Sequence, residues 1–308
     1  MRLLVVGAGA TGGYFGGRLA AAGRDVTFLV RPRRAARLAS RGLEIVSPHG
    51  DVTIRPKVAA AADLSGPFDA ILLTVKSHGL AAALDDIAPA VGPDTAILPV
   101  LNGMRHLDVL TERFGAGAVA GGVCKISATL DAEERIVQLS DLQYLAYGEL
   151  DGRVSERMLR IDEAMRGAGF PAHLSTTISG EMWEKWTMLA SLGAATCLMR
   201  GSVGEIVGVP GGRELILAVI DEVAAIVSAV GVAPSAEGLA GVRAMLTREG
   251  SPLASSMYRD LIGGRPTEAE AIVGDLVRRG RAAGVSAPLL AAAGIHLAVA
   301  AGRLGDAV

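Results

Sequence analysis

The sequence predicts an α/β domain built on a mostly parallel sheet, followed by an all-α domain. Three observations carry this reading. Short, wholly apolar runs alternate with helix-like stretches through the first half of the chain. A glycine-rich string follows the first of these runs. Beyond about residue 170 the helical period dominates and strand patterns vanish. Buried strands alternating with helices are how a parallel sheet covered on both faces reads.

Taken in order, Leu3-Leu4-Val5-Val6 is the first buried strand and ends at a glycine. Residues 13–22 are helix-like, and Gly23 stands where a C-cap belongs. Val26-Thr27-Phe28-Leu29-Val30 is the second strand and completes a β-α-β unit of about 30 residues. Residues 42–54 read as a hairpin turning at Pro48-His49-Gly50-Asp51. Ala70-Ile71-Leu72-Leu73-Thr74-Val75 and Ala96-Ile97-Leu98-Pro99 are two more buried strands, each followed by helix. Residues 119–128, 136–139 and 144–147 are further strand candidates. Gly and Pro punctuation at 208–212, 231–234, 250–252, 263–266 and 284–288 divides the C-terminal part into several helices. The change of texture puts a domain boundary near Leu174, giving domains 1–174 and 175–308.

Bulk properties narrow the function classes. Half of the 308 residues are hydrophobic and 20% are charged, so a sizeable core is expected instead of disorder. A net charge of −2 argues against a basic nucleic-acid surface. Cys124 and Cys197 have neither metal nor disulfide-framework spacing and read as buried thiols, and the five histidines lack metal spacing. The apolar N-terminal run breaks into glycines without a signal-peptide cleavage pattern. Residues 215–233 contain Asp221 and Glu222, and 289–301 is short and carries His296, so neither reads as a membrane span. The expectation is a cytoplasmic protein that binds no metal, nucleic acid or membrane.

The glycine string Gly7-Ala8-Gly9-Ala10-Thr11-Gly12 has the G-x-G-x-x-G form, with a strand before it, a helix after it and a second strand at the right distance. In a Rossmann fold, the first glycine allows the tight turn, the second a close approach to pyrophosphate, and the third close helix packing. The helix start then offers free N–H groups and a positive dipole end to phosphates. The bland reading is a glycine-rich turn without a ligand. At the end of the second strand, where NAD sites usually carry an acid, stands Arg31, followed by Arg33 and Arg34. Guanidinium groups suit a 2′-phosphate, so NADP(H) is expected over NAD(H); a solvated basic loop is the alternative.

Thr74-Val75-Lys76, Leu101-Asn102-Gly103-Met104, Trp183-Glu184-Lys185, Ser255-Ser256-Met257-Tyr258-Arg259-Asp260 and Thr267-Glu268 follow the glycine string in order. Together they resemble the ketopantoate reductase (2-dehydropantoate 2-reductase) family over essentially the whole chain. The resemblance implies a Rossmann domain, a helical domain and an active site in the cleft between them. It implies NADPH-dependent reduction of a 2-oxo acid, classically ketopantoate to pantoate in pantothenate biosynthesis. It makes Lys185 the catalytic lysine and places Glu268 at the active site. Asn102 would serve cofactor and substrate, Lys76 the nicotinamide side of the cofactor, and Ser256 the substrate carboxylate.

The residues keep plainer readings beside these. Lys185 could pair with Glu181 on the helix surface, and on a helical wheel it sits at the edge of an apolar arc of Met182, Trp183, Trp186, Leu189 and Ala190. Thr267 and Glu270 have capping-box spacing, which puts Glu268 in the first helical turn. Ser255 and Ser256 both precede a helical run and either could be its N-cap. Asn102-Gly103 could be a turn and Lys76 a solvated loop lysine. His78 reads as a solvated loop histidine, and Trp183 and Trp186 as packing residues. The chain also departs from the family: Leu189 and Gly193 stand four and eight residues after Lys185, where ketopantoate reductases often carry asparagines. This leaves open another branched or bulkier 2-oxo acid or ketone. The competing classes are a 3-hydroxy acid or 6-phosphogluconate type dehydrogenase and a non-catalytic NADP-binding sensor. The apolar helical domain is compatible with a homodimer.

Overall fold

In the computed structural model, which describes residues 1–305, strand β1 (Arg2–Val6) alternates its side chains between two cores. Leu3 and Val5 enter one apolar cluster, and Leu4 and Val6 enter another. A strand this apolar on both faces must lie in the middle of a covered sheet. It does: β1 is central in a five-stranded all-parallel sheet.

The chain runs from β1 through α1 (Ala10–Ala21), β2 (Asp25–Leu29), α2 (Pro32–Arg41), the hairpin strands β3 (Leu43–Val46) and β4 (Val52–Ile54), and β5 (Lys57–Ala59). β6 (Ala70–Leu73), α3 (Leu80–Ile87), β7 (Ala96–Pro99) and α4 (Arg105–Phe114) follow. Then come β8 (Gly121–Leu130), β9 (Ile136–Gly148), α5 (Glu156–Met165) and β10 (Ala172–Leu174). The parallel sheet has the order β5-β2-β1-β6-β7. The chain therefore leaves β1 toward β2 and returns on its other side at β6, which makes the carboxyl end of β1 the topological switch point.

The sequence pointed to one sheet, and the fold has two. The hairpin β3–β4 joins β9, β10 and β8 in a second, mixed sheet. Residues 136–139 and 144–147 are not separate strands but parts of the 13-residue β9, whose polar middle, Ser140-Asp141, masks its continuity in the sequence. Its two ends pair with different strands, β3 at Ile136–Val137 and β10 at Leu145–Tyr147. α1 packs between the sheets: a Cβ on Gly16 would press on Phe28 and Val5, and one on Gly17 on Ile45 and Leu43. Both cysteines are buried and free, and burial pushes the Cys197 thiol up to about 11.

The C-terminal part is helical: α6 (Ile178–Met199), α7 (Val203–Val207), α8 (Gly212–Val230), α9 (Ala236–Leu246), α10 (Ser256–Ile262), a π-helical turn (Glu270–Gly274), α11 (Asp275–Ala282) and α12 (Pro288–Gly305). Its core gathers Leu192, Ala195, Ile206, Ile216, Ile220 and Leu246. Trp183 and Trp186 are buried with ring centroids 5.3 Å apart. No helix of the described residues is long and apolar enough to cross a membrane. By packing, the chain divides into residues 1–101 with 106–179, and residues 102–105 with 180–308. Residues 102–105, between β7 and α4, therefore belong with the helices.

Candidate active site

The glycine string spans the turn between β1 and α1 and the first three residues of α1. Gly7 has a φ of 96°, open only to glycine without strain. Thr74, just past β6, donates from Oγ1 to the carbonyls of Val6 at 2.7 Å and Gly7 at 3.1 Å, tying two strand ends together. A Cβ on Gly12 would run into that same Oγ1 and the Gly7 carbonyl, so helix α1 can start this close only from glycine. Gly9 differs. Nothing lies within 4 Å of where its Cβ would be, so no packing inside the protein accounts for it. Gly9 caps α1 without a side-chain hydrogen bond, and the first turn carries no acid. Open space over uncapped N–H groups at a helix start fits a dinucleotide pyrophosphate.

Arg31 stands just past β2, exposed at the start of α2, with Nη1 3.1 Å from Asp86 on α3. A weak, exposed pair of this kind leaves the guanidinium available to a phosphate. Arg33 and Arg34 behave differently, since both meet Glu134 in the β8–β9 turn. Lys76 follows the β6 end as an exposed residue, and its carbonyl accepts the Gly79 N–H at 2.9 Å. His78 is exposed.

Among the helices, Asn102 and Glu268, 166 residues apart in sequence, meet: Asn102 Nδ2 donates to Glu268 Oε2 at 3.1 Å. Two further contacts hold them. Gly103, at φ 81°, lies so close to the Ala271 carbonyl that a Cβ there would collide with it. Trp186, next to Lys185 on α6, donates its indole N–H to the Ile272 carbonyl at 2.9 Å. Both carbonyls belong to the π-helical turn, a distortion that redirects backbone groups from the helical ladder.

The capping box expected from Thr267 and Glu270 does not form. Glu270 Oε1 accepts from Arg278 and lies 3.7 Å from Arg105, and the turn begins without a side-chain cap. Glu268 accordingly precedes the helix, with its carbonyl accepting the Ile272 N–H at 3.1 Å. The charged partners outcompete a local cap that spacing alone suggested.

Lys185 is half-buried on α6 and has no hydrogen bond or ion pair with any described residue, so the surface pair with Glu181 is not formed. Four and eight residues on, along the same helix face, come half-buried Leu189 and buried Gly193. A Cβ on Gly193 would sit 2.5 Å from Met257 Cε, so Met257 fills the space a longer side chain at 193 would need. Ser255 is the buried N-cap of α10: its Oγ accepts from Tyr258 N at 2.9 Å and lies 2.9 Å from Thr196 Oγ1. That leaves Ser256 exposed on the first turn with its hydroxyl outside the capping role.

Sequence reasoning passed over Thr74, Glu134, Met257 and the Trp186–Ile272 bond. Thr74 was visible as the first residue of Thr74-Val75-Lys76. The others act through contacts between distant segments, for which one sequence holds no local signal.

Comparison with known proteins identifies the family. The family model "Ketopantoate reductase PanE/ApbA" matches residues 3–152, and its C-terminal counterpart matches 177–296. An uncharacterized oxidoreductase, YkpB, of Bacillus subtilis is 34% identical over 94% of this chain and 95% of its own. A 2-dehydropantoate 2-reductase of Mesorhizobium japonicum is 29% identical over 91% and 92%. The crystal structure of 2-dehydropantoate 2-reductase from Methylococcus capsulatus superposes with a TM-score of 0.87 at 28% identity, covering 99% of this chain and 98% of that one. The chain belongs to the ketopantoate reductase PanE/ApbA family and is an NADP(H)-dependent oxidoreductase that reduces a 2-oxo acid.

Proposed function

We propose that the protein reduces 2-dehydropantoate, or a close 2-oxo acid analogue, to the 2-hydroxy acid, with Lys185 as the general acid. The observation that carries this reading is the Asn102–Glu268 hydrogen bond, which ties two of these residues together within the helical unit that also bears Lys185. The chemistry the dinucleotide supplies when bound is a hydride for the keto carbon. Gly7, Ala8, Gly9, Ala10, Thr11 and Gly12 hold its pyrophosphate, Arg31 its 2′-phosphate, and Lys76 and Asn102 its nicotinamide side. As charge builds on the substrate oxygen, the Lys185 ammonium stabilises it and delivers a proton, completing the alcohol. The Ser256 hydroxyl binds the substrate carboxylate. Glu268 orients Asn102 through the bond between them.

Leu189 and Gly193 bear on the substrate. Neither can donate or accept a side-chain hydrogen bond, so α6 offers no partner there to the hydroxyl of 2-dehydropantoate. The reading is tested by NADPH oxidation over a panel of 2-oxo acids, led by 2-dehydropantoate and its deoxy counterpart, 3,3-dimethyl-2-oxobutanoate. Turnover of either supports it; NADPH binding without turnover of any 2-oxo acid refutes it, as does activity confined to 3-hydroxy acid oxidation.

A further inference from the structure

The turn between β8 and β9 faces α2 across a set of arginines. Glu134 sits there at φ 60°, a left-handed backbone that glycine or asparagine adopts more easily. The turn is built around Asp131, whose Oδ1 accepts from the N–H groups of Glu133 and Arg135 at 3.0 and 2.8 Å. It presents the Glu133 and Glu134 carbonyls and the Glu134 carboxylate to α2. Arg37 donates to the Glu133 carbonyl. Arg33 donates to Glu134 Oε1 at 2.8 Å. Arg34 Nη1 donates to Glu134 Oε2 at 3.0 Å and to the Glu134 carbonyl at 3.1 Å.

Arg34 is the unusual member of the set. Its side chain is 16% exposed, against 91% for Arg33 and 67% for Arg31. Its Nε donates to the carbonyl of Ala8 at 3.1 Å, inside the glycine string. The peptide joining Ala8 to Gly9 is planar and trans, so a carbonyl held on Arg34 aims the Gly9 N–H the opposite way. The carboxylate that holds Arg34 stays ionised near neutral pH. The hydrogen bond from Arg34 above all, and then that from Arg33, keep Glu134 below the ordinary carboxylate range against the opposing effect of desolvation.

We propose that Glu134 is a positioning residue for the dinucleotide: by clamping Arg34 on the Ala8 carbonyl it sets the Ala8–Gly9 peptide that lines the pyrophosphate site. The clamp also consumes the charge of Arg34 and engages Arg33, which leaves 2′-phosphate recognition to Arg31. Glu134 therefore acts on NADPH and NADH alike, whereas Arg31 separates them. The inference rests on the reading of the glycine string as the pyrophosphate site.

Two variants of the full chain test it. Glu134→Gly keeps the left-handed turn without strain and removes the carboxylate; Glu134→Gln keeps a neutral acceptor. Dissociation constants for NADPH and NADH come from calorimetry, and amide hydrogen exchange over residues 8–12 is followed without dinucleotide. Glu134→Gly is expected to raise both constants about fivefold, the scale of one lost hydrogen bond, with their ratio unchanged. Exchange over residues 8–12 is expected to accelerate, with Glu134→Gln lying between wild type and Glu134→Gly in both measurements. A merely structural role would lower Tm while leaving low-temperature binding and exchange at wild-type values, and that overturns the proposal. So does a loss confined to NADPH, or tighter binding of either dinucleotide. Wild-type protein that binds neither dinucleotide would instead sink the reading of the glycine string.

Discussion

The glycine loop and the Asn102–Glu268 pair meet different requirements by different means. The residues of the loop are consecutive, running from the end of β1 into the start of α1, and its two supports, Thr74 and Arg34, bond to backbone carbonyls. The proposed reaction side draws on residues 102, 185, 256 and 268, which lie on separate segments; Asn102 bonds to Glu268, and α6 is tied to the π-helical turn by the bond from Trp186 to Ile272. A binding surface for phosphates needs N–H groups facing one way, which one strand–turn–helix provides. Proton delivery needs a few side chains held to within fractions of an ångström, which requires packing between distant segments. The two regions should therefore fail differently when damaged.

The largest expected difference is at Lys185. Lys185→Ala should lower kcat by about 10²–10⁴-fold, the usual share of a general acid, while the NADPH dissociation constant stays near wild type. Steady-state kinetics alongside calorimetry measures both. A kcat within tenfold of wild type would remove Lys185 from the proposed chemistry.

Next come two glycines, one in each region. Gly103→Ala puts a methyl against the Ala271 carbonyl at a positive φ, so the 102–105 segment must move and carry Asn102 off Glu268. A displacement near 1 Å at a catalytic group can cost roughly 10²-fold in kcat. Gly12→Ala puts a methyl against Thr74 Oγ1 and the Gly7 carbonyl, which should raise KM for NADPH and spare the substrate KM. If both variants changed the same constant, the separation of the regions drawn above would be wrong.

How much of this the sequence revealed follows the same division. The G-x-G-x-x-G string and its flanking strands are local signals, and both were legible because turn chemistry and strand burial are set by near neighbours. The second sheet was not. β3 and β4 read as an isolated hairpin, and nothing in residues 42–54 says that their partner is β9. The Thr267–Glu270 spacing misled, because a capping pattern cannot show that Arg278 and Arg105 compete for the same carboxylate. Asn102 and Glu268 were each selected by resemblance, but their hydrogen bond, and the π-helical turn beside it, are products of packing.

A smaller effect should appear at Arg31. Arg31→Ala removes a charge-assisted contact to a 2′-phosphate, so the NADPH dissociation constant should rise about 10- to 100-fold while that for NADH stays put. The Asp86 pair is exposed and stabilises little, so the fold should tolerate the change. An equal loss for both dinucleotides would show that Arg31 shapes the loop, the role assigned here to Glu134 through Arg34.

The smallest expected effect concerns the substrate. Leu189 sits one turn beyond Lys185 and is half-buried, so Leu189→Asn places an amide on the face that carries the proposed general acid without displacing a fully buried core residue. One neutral hydrogen bond is worth about fivefold in relative affinity. The kcat/KM ratio of 2-dehydropantoate to 3,3-dimethyl-2-oxobutanoate should rise by about that factor, mostly through KM, since the hydroxyl lies away from the reacting carbon. Gly193→Asn should not reproduce this alone, because Met257 occupies the space, but should do so once Met257→Ala makes room. A ratio unmoved by Leu189→Asn would place the substrate's distal group away from this face of α6 and shift the origin of substrate choice to the loop at 102–105 or the start of α10.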